Sequence, residues 1–454
     1  MKQTNNSERG VHISPWEKSF DKVITPFEEF IHRQTTSGML LMGTAIMALV
    51  LANSALSGFY SDLQHMMISI SIGSWSLEKS LHHWVNDGLM ALFFFVVGLE
   101  LKREMMVGEL ADMRKAALPM IAAVGGMLAP AFIYLGFNPV GEAARGWGIP
   151  MATDIAFAIG ALVLLAHRVP KSLITFLVAL AIVDDLGAVA VIAVFYTDTL
   201  VYDALFMALG LLGLLIAFNM AGIRRISPYA IVAVFLWYFL LKSGVHATIA
   251  GVLGAFTVPA IPKYDPERFS QQMKNLMARF DKSYRPGESI LTNIEMRSVV
   301  QTLENGILKV EAPLQRLEHA WHLPVAFLVV PIFALFNAGI PLQLGSLTET
   351  LSHPVTLGIG VGLIGGKFIG ITLSSWLAIK LGVAQLPPGI RFTQIAGVSL
   401  LAGIGFTMAI FIAELGFAAQ PDYLLKAKTG ILAASLLSGV LGYVWLRLVG
   451  DKKQ

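Results

Sequence analysis

Long apolar runs divided by short polar or charged breaks dominate the chain. A helix that crosses a bilayer needs roughly 20 apolar residues. Twelve such segments are read, beginning near Gly38, Trp84, Ala116, Ile149, Leu173, Ala204, Ile226, Val245, Leu323, Val355, Ile395 and Ala427. Several are interrupted by charge, Gly or Pro. The seventh and eighth are short and almost continuous, which leaves a count of eleven open. Two connections have a different pattern. Between the first two spans, Ile68-Ser69-Ile70-Ser71-Ile72 alternates strictly and runs into Gly73-Ser74, which predicts a small β-hairpin. Between spans eight and nine a polar stretch runs from Pro262 to about His322. There Phe269, Met273, Leu276, Met277 and Phe280 recur at helical spacing, as do Val300, Leu303, Ile307 and Leu308, predicting amphipathic helices with a break at Pro286-Gly287. The expected layout is an extension over 1–37, spans one to eight over 38–261 with the hairpin at about 66–80, a long loop over 262–322, spans nine to twelve over 323–449, and a tail over 450–454.

Composition agrees with a membrane protein. Of the 454 residues 55% are hydrophobic and 14% charged, against about 25% charged in a soluble domain; mean hydropathy is +0.67. The net charge of +3 offers no footprint for nucleic acid. With no cysteine, disulfides, thiol nucleophiles and thiolate metal sites are excluded. The polar first residues lack the apolar stretch of a signal peptide and read as a retained cytoplasmic extension. Lys and Arg set the orientation. With the N-terminus inside, 27 of the 33 fall on cytoplasmic segments and five on outward ones (Lys79, Arg145, Lys242, Lys426 and Lys428). Lys367 remains, within a span. Both termini are expected in the cytoplasm.

Ionisable groups inside spans are costly and call for a reason. The sharpest set is Ile182-Val183-Asp184-Asp185-Leu186-Gly187, two adjacent carboxylates in the middle of an apolar run. Side by side they repel when both are charged, and burial penalises charge. Such a pair can hold protons or a hard cation but resists holding both, which is the competition an exchanger needs. Neighbours on a helix point about 100° apart, so one of them faces the cation directly. In Gly148-Ile149-Pro150-Met151-Ala152-Thr153-Asp154, Pro and Gly flank an intramembrane Asp, which predicts a broken helix with free backbone groups. Gly403-Ile404-Gly405-Phe406-Thr407 is its counterpart in span eleven, and paired interrupted spans point to inverted repeats; a glycine-mediated helix contact is the plainer reading. Asp154 then offsets half-helix dipoles and Thr153 supplies a neutral oxygen. Lys367 pairs with a carboxylate of the Asp184/Asp185 pair, either as a steadying salt bridge or as a proton carrier. Glu100 and Glu104, beside Lys102 and Arg103, form an acidic funnel that gathers cations, or an ordinary solvated helix end. Asp87 brackets the other end of span two. His246, His319 and His322, the last two beside Glu318, are pH-sensor candidates or simply packed or capping histidines.

Ala152-Thr153-Asp154-Ile155-Ala156-Phe157-Ala158, Ile182-Val183-Asp184-Asp185-Leu186-Gly187-Ala188, Lys242-Ser243-Gly244-Val245-His246-Ala247-Thr248 and Gly403-Ile404-Gly405-Phe406-Thr407-Met408 strongly resemble the NhaA family of bacterial sodium/proton antiporters, in order, from about Gly38 to Trp445. The resemblance implies an all-α membrane protein of about twelve helices. Spans three to five and ten to twelve form two inverted three-helix repeats, and the broken spans four and eleven cross near the membrane centre. It implies electrogenic exchange of sodium, or lithium, for inward protons at Asp184 and Asp185, with Asp185 the more direct ligand and Thr153 at the cation site. Asp154 and Lys367 match its dipole-compensating pair. Asp87, Glu100, Arg103, Glu104, Arg225, His246, Glu318 and His319 match positions tied to transport or pH response. It also implies a bacterial inner-membrane location in the lipid bilayer, a homodimer through the outer hairpin, no cofactor and no enzyme activity. The loop 262–322 and the N-terminal extension are longer than in the best-known member. A symporter of organic anions would need a further cationic pocket beyond Lys367. A membrane hydrolase would need a His-Glu-x-x-His helix or facing carboxylates, and a twin Asp on one helix gives neither.

Overall fold

The computed structural model describes residues 34–450 apart from 73–74, 198–199, 263–265, 285–289, 291, 342–344 and 346. The first 33 residues, the hairpin's Gly73-Ser74, the expected break at Pro286-Gly287 and residues 451–454 lie outside the described residues.

The chain opens with α1 (Gln34–Ala52) and a short α2 (Ser57–His65) bent from it by 109°. The expected hairpin follows: β1 (Met67–Ile72) pairs antiparallel with β2 (Trp75–Ser80), in register from Met67 opposite Ser80 to Ile72 opposite Trp75. Then come α3 (Leu81–Val107), α4 (Met113–Phe137), a 3-10 segment (Glu142–Met151) leading into α5 (Ile155–Val163), α6 (Lys171–Phe195), α7 (Tyr202–Met220), α8 (Ile226–Ser243) and α9 (Ile249–Thr257). The long connection carries α10 (Pro266–Ser283) and α11 (Ile294–Val310), as the amphipathic spacing predicts. The chain ends with α12 (Pro313–Asn337), α13 (Pro354–Lys380), α14 (Phe392–Leu401), α15 (Phe406–Gly416) and α16 (Pro421–Val449).

Among the described residues nine helices are long and apolar enough to cross a membrane, and eleven if each bent pair counts as one span. The twelfth expected segment is α9. Gly244, at φ 84°, ends α8, and the chain regains a helix only at Ile249, leaving nine residues, or about 14 Å. That is too short to cross alone. It is accommodated against α3, where the Ala91 carbonyl lies where a side chain on Gly251 would begin.

With α9 counted as a span, successive spans alternate direction, and α4 and α13 enter the bilayer from opposite faces. Each opens a triplet of the same order: long helix, interrupted helix, long helix. The two opening helices pack most tightly at Gly125 and Gly370. The carbonyl of each occupies the place a Cβ on the other would take. Where lipid gives no hydrophobic drive to association, such close backbone approach is what holds helices together. Lys102 at the end of α3 donates to the carbonyls of Phe256 (2.7 Å) and Val258 (2.5 Å) at the end of α9. The root of the long connection therefore lies at the end of α3 opposite the hairpin.

Candidate functional site

Helix hydrogen bonding stops at Met151 because Pro150 has no N–H and Ala152 turns extended (ψ 143°). It restarts at Ile155 with Asp154 as N-cap, whose side chain accepts from Phe157 N at 3.1 Å. In the second triplet it stops at Leu401 and restarts at Phe406, with a 50° bend between the halves. The two gaps cross. Thr153 Oγ1 donates to the Ala402 carbonyl at 2.8 Å and Asp154 N to the Ile404 carbonyl at 2.6 Å. Ser438 Oγ donates to the Leu400 carbonyl (2.6 Å), and Ser435 Oγ accepts from Phe406 N (3.2 Å). Backbone groups freed by unwinding thus find partners inside the protein, the condition for irregular backbone at membrane depth.

Asp154 does more than cap its own helix. Its Oδ2 also accepts from Thr407 N (3.0 Å) and Thr407 Oγ1 (2.5 Å) in the first turn of α15. One carboxylate therefore meets the positive ends of two half-helices. Thr407 has no role in the sequence reading. Its signal is its position two residues after Gly405, where helix restarts.

Asp184 and Asp185 lie in the middle of α6 and are 1% and 0% exposed. Asp184 Oδ2 is paired with Lys367 Nζ at 2.7 Å, and both side chains are fully buried. Asp185 points elsewhere. It lines a cavity of about 170 Å³ together with Asp154, Thr407, Glu100 and His322, room for several waters. Asp184 Oδ1 and both oxygens of Asp185 have no hydrogen-bond partner. Carboxylate oxygens that the protein leaves without a donor of its own are hard donors of the kind that hold alkali cations. Thr153 is fully buried at the crossing and lies outside the cavity lining. Lys367 follows directly on a π-helical stretch, Gly362–Gly366, a distortion frequent at functional sites.

At its mouth the cavity meets a ladder between α3 and the first turns of α12. His322 Nδ1 lies 3.2 Å from Glu100 Oε1, Arg103 Nε 3.2 Å from Glu318 Oε1, and Arg103 Nη2 2.9 Å from Glu104 Oε1. Glu318, His319 and His322 ride on a continuous helix that starts at Pro313, not on the end of a loop. It is His322 that meets Glu100; His319 is exposed, as is Arg225 at the turn between α7 and α8. At the hairpin end, Asp87 sits in a π-helical turn of α3 (Trp84–Leu89) with Oδ1 3.6 Å from His246 Nε2. His246 Nδ1 is 2.8 Å from Thr248 Oγ1.

Interrupted helices that cross beside buried carboxylates, one of them with no protein partner, define the class: a helical membrane protein that moves ions. The pattern of the Na+/H+ antiporter 1 family matches residues 28–446. The chain is 57% identical to the Na(+)/H(+) antiporter NhaA 1 of Saccharophagus degradans over 96% of this chain and 94% of that protein. It is 50% identical to the Na(+)/H(+) antiporter NhaA of Sulfurimonas denitrificans, over 96% and 98%, and 47% identical to that of Dichelobacter nodosus, over 96% and 94%. The chain belongs to the NhaA family of Na+/H+ antiporters, and is a transporter rather than an enzyme.

Proposed function

We propose that this protein is a secondary active, electrogenic antiporter of a bacterial inner membrane that exports sodium, or lithium, in exchange for inward protons. The observation that carries the reading is the division of labour on α6: Asp185 lines the water-sized cavity with both oxygens bare, while Asp184 is tied to Lys367. In this reading sodium reaches Asp185 through the cavity. It is completed by Asp184, the Thr153 hydroxyl and water oxygens. Asp184 lets go of Lys367, which loses its proton, and Asp185 loses its own. Two protons leave as one sodium binds, so the site's charge differs by one between its two loaded forms and the cycle is electrogenic. Asp154 holds the half-helix ends in place during the exchange. The two triplets rock around the site so that it faces each side in turn.

The cavity opens toward the long connection, the face that the Lys and Arg count assigns to the cytoplasm, with both termini there. Glu100, Glu104 and Glu318 gather cations at the mouth, and with Arg103 and His322, which pair with them, respond to pH there. Asp87 and His246 serve the opposite end. Arg225 and His319 carry a pH role on family resemblance alone. The segments 1–37 and 450–454 are cytoplasmic extension and tail, and the long connection between the transmembrane parts runs from 262 to the start of α12 at Pro313, short of the expected 322. A homodimer forms through the hairpin, supported by the exposed Met67, Ile68 and Ile70.

The experiment is collapse of an imposed pH gradient by added sodium in proteoliposomes. Asp185→Asn should abolish it, whereas robust sodium-driven proton movement in that variant removes the central residue from the mechanism.

A further inference from the structure

Beyond the cavity, three helices continue toward the hairpin face, and each presents the same order of residue types. On α3, Glu100 at the cavity mouth is followed by Phe94 and then by Asn86 and His82. On α12, His322 is followed by Phe333 and Asn337. On α15, Thr407, Phe411 and Glu414 form one stripe at i, i+4 and i+7. The middle residues meet: Phe411 lies 5.5 Å from Phe94 and 6.1 Å from Phe333, ring centre to ring centre. The outer residues meet as well. Asn337 Nδ2 donates to Asn86 Oδ1 at 2.8 Å, and His82 Nε2 lies 3.0 Å from Asn337 Oδ1 and 3.7 Å from Glu414 Oε1. Lys428 Nζ, from α16, lies 2.5 Å from the same Glu414 oxygen; both side chains are nearly buried, at 12% and 10% exposure. An aromatic layer with a carboxylate, an ammonium and amides stacked behind it is an unusual core for a helix bundle. Glu414 lies two residues before the end of α15, so the ion pair is buried in protein at the hairpin-face end of its span.

We propose that Glu414 is a second cation-binding carboxylate on the transport route, at its hairpin-face end, sealed from Asp185 here by Phe94, Phe333 and Phe411. This rests on the antiport reading above and extends it to a site outside the Asp184/Asp185 pair. Lys428 holds Glu414 as Lys367 holds Asp184: a lysine ammonium stands on the carboxylate while the route is closed and yields it when water and a monovalent cation reach it. His82 and Asn337 complete the same cluster from the facing helices. When the site turns toward the hairpin face, Glu414 is the first carboxylate an arriving cation meets and the last a departing one leaves.

The test compares right-side-out and everted bacterial membrane vesicles, which present opposite faces of the protein to added sodium. Glu414→Gln should raise the sodium KM at the hairpin face about five-fold and leave the other face within about two-fold. The double variant Glu414→Gln/Lys428→Gln, which leaves no unpaired charge behind, should show the same asymmetry even if the single one folds poorly. An unchanged KM, or an equal shift at both faces, overturns the proposal. If the unmodified protein shows no sodium-driven proton movement in either vesicle, the antiport reading itself fails and takes this proposal with it.

Discussion

Asp184 and Asp185 share a helix turn and almost no surroundings. The rotation of about 100° per residue turns one side chain to an ammonium 2.7 Å away and the other to a cavity. In the antiport proposed above, that difference gives two identical groups different work, one exchanging a cation for a proton directly and the other through Lys367. Asp154 works by charge on helix ends. Asp154→Asn keeps an acceptor in place but removes the charge facing the first turns of α5 and α15. Each helix end is worth about 1 kcal/mol, up to ~2 when partly buried. The thermal midpoint of the purified variant should therefore fall by several degrees, and an unchanged midpoint would mean that the half-helix ends do not depend on Asp154. The four intramembrane charges Asp154, Asp184, Asp185 and Lys367 are legible in the sequence because each breaks an apolar run. Their partners are less so. Thr407 meets Asp154 across 253 positions, and Glu414 is an acid late in an apolar run whose partners His82 and Lys428 come from other helices. Periodicity speaks of one helix at a time and says nothing about which stripe faces which.

Elements carry the site by where they fail to be regular. The unwound segments at 152–154 and 402–405 announce themselves through Pro150, Gly403 and Gly405, and the hairpin through strict alternation. The π-helical stretches around Asp87 and before Lys367 leave no such mark, since a single extra residue in a turn changes no composition. The brevity of α9 and the start of α12 do leave local marks, Gly244 before the one and Pro313 at the first position of the other, which the sequence reading leaves unused. Helix contact in the repeats depends on small residues. A methyl on Gly370 would run into the Gly125 carbonyl, which is backbone and cannot step aside. Gly370→Ala should cost about 1–3 kcal/mol, the range for overpacking, read as a lower melting temperature in detergent. A variant as stable as the native protein would show that α4 and α13 are free to separate at that point.

At the scale of the whole molecule, two triplets of opposite direction place their irregular segments against each other, with the carboxylates of α6 beside the crossing. A cavity lined by Glu100 and His322 reaches Asp185, and Phe94, Phe333 and Phe411 pack together on the same helices toward the hairpin. In the proposed mechanism a molecule so arranged opens to one face at a time, and the transported ions compete for one set of oxygens. That competition is the central claim, and sodium binding to the purified protein as a function of pH measures it most directly. If sodium displaces protons from Asp185 and Lys367, its Kd falls as pH rises, by about ten-fold per pH unit for each proton released, up to ~100-fold for two, and Asp185→Asn binds no sodium. A sodium Kd that stays flat across pH, or sodium bound as tightly by Asp185→Asn as by the native protein, would contradict it.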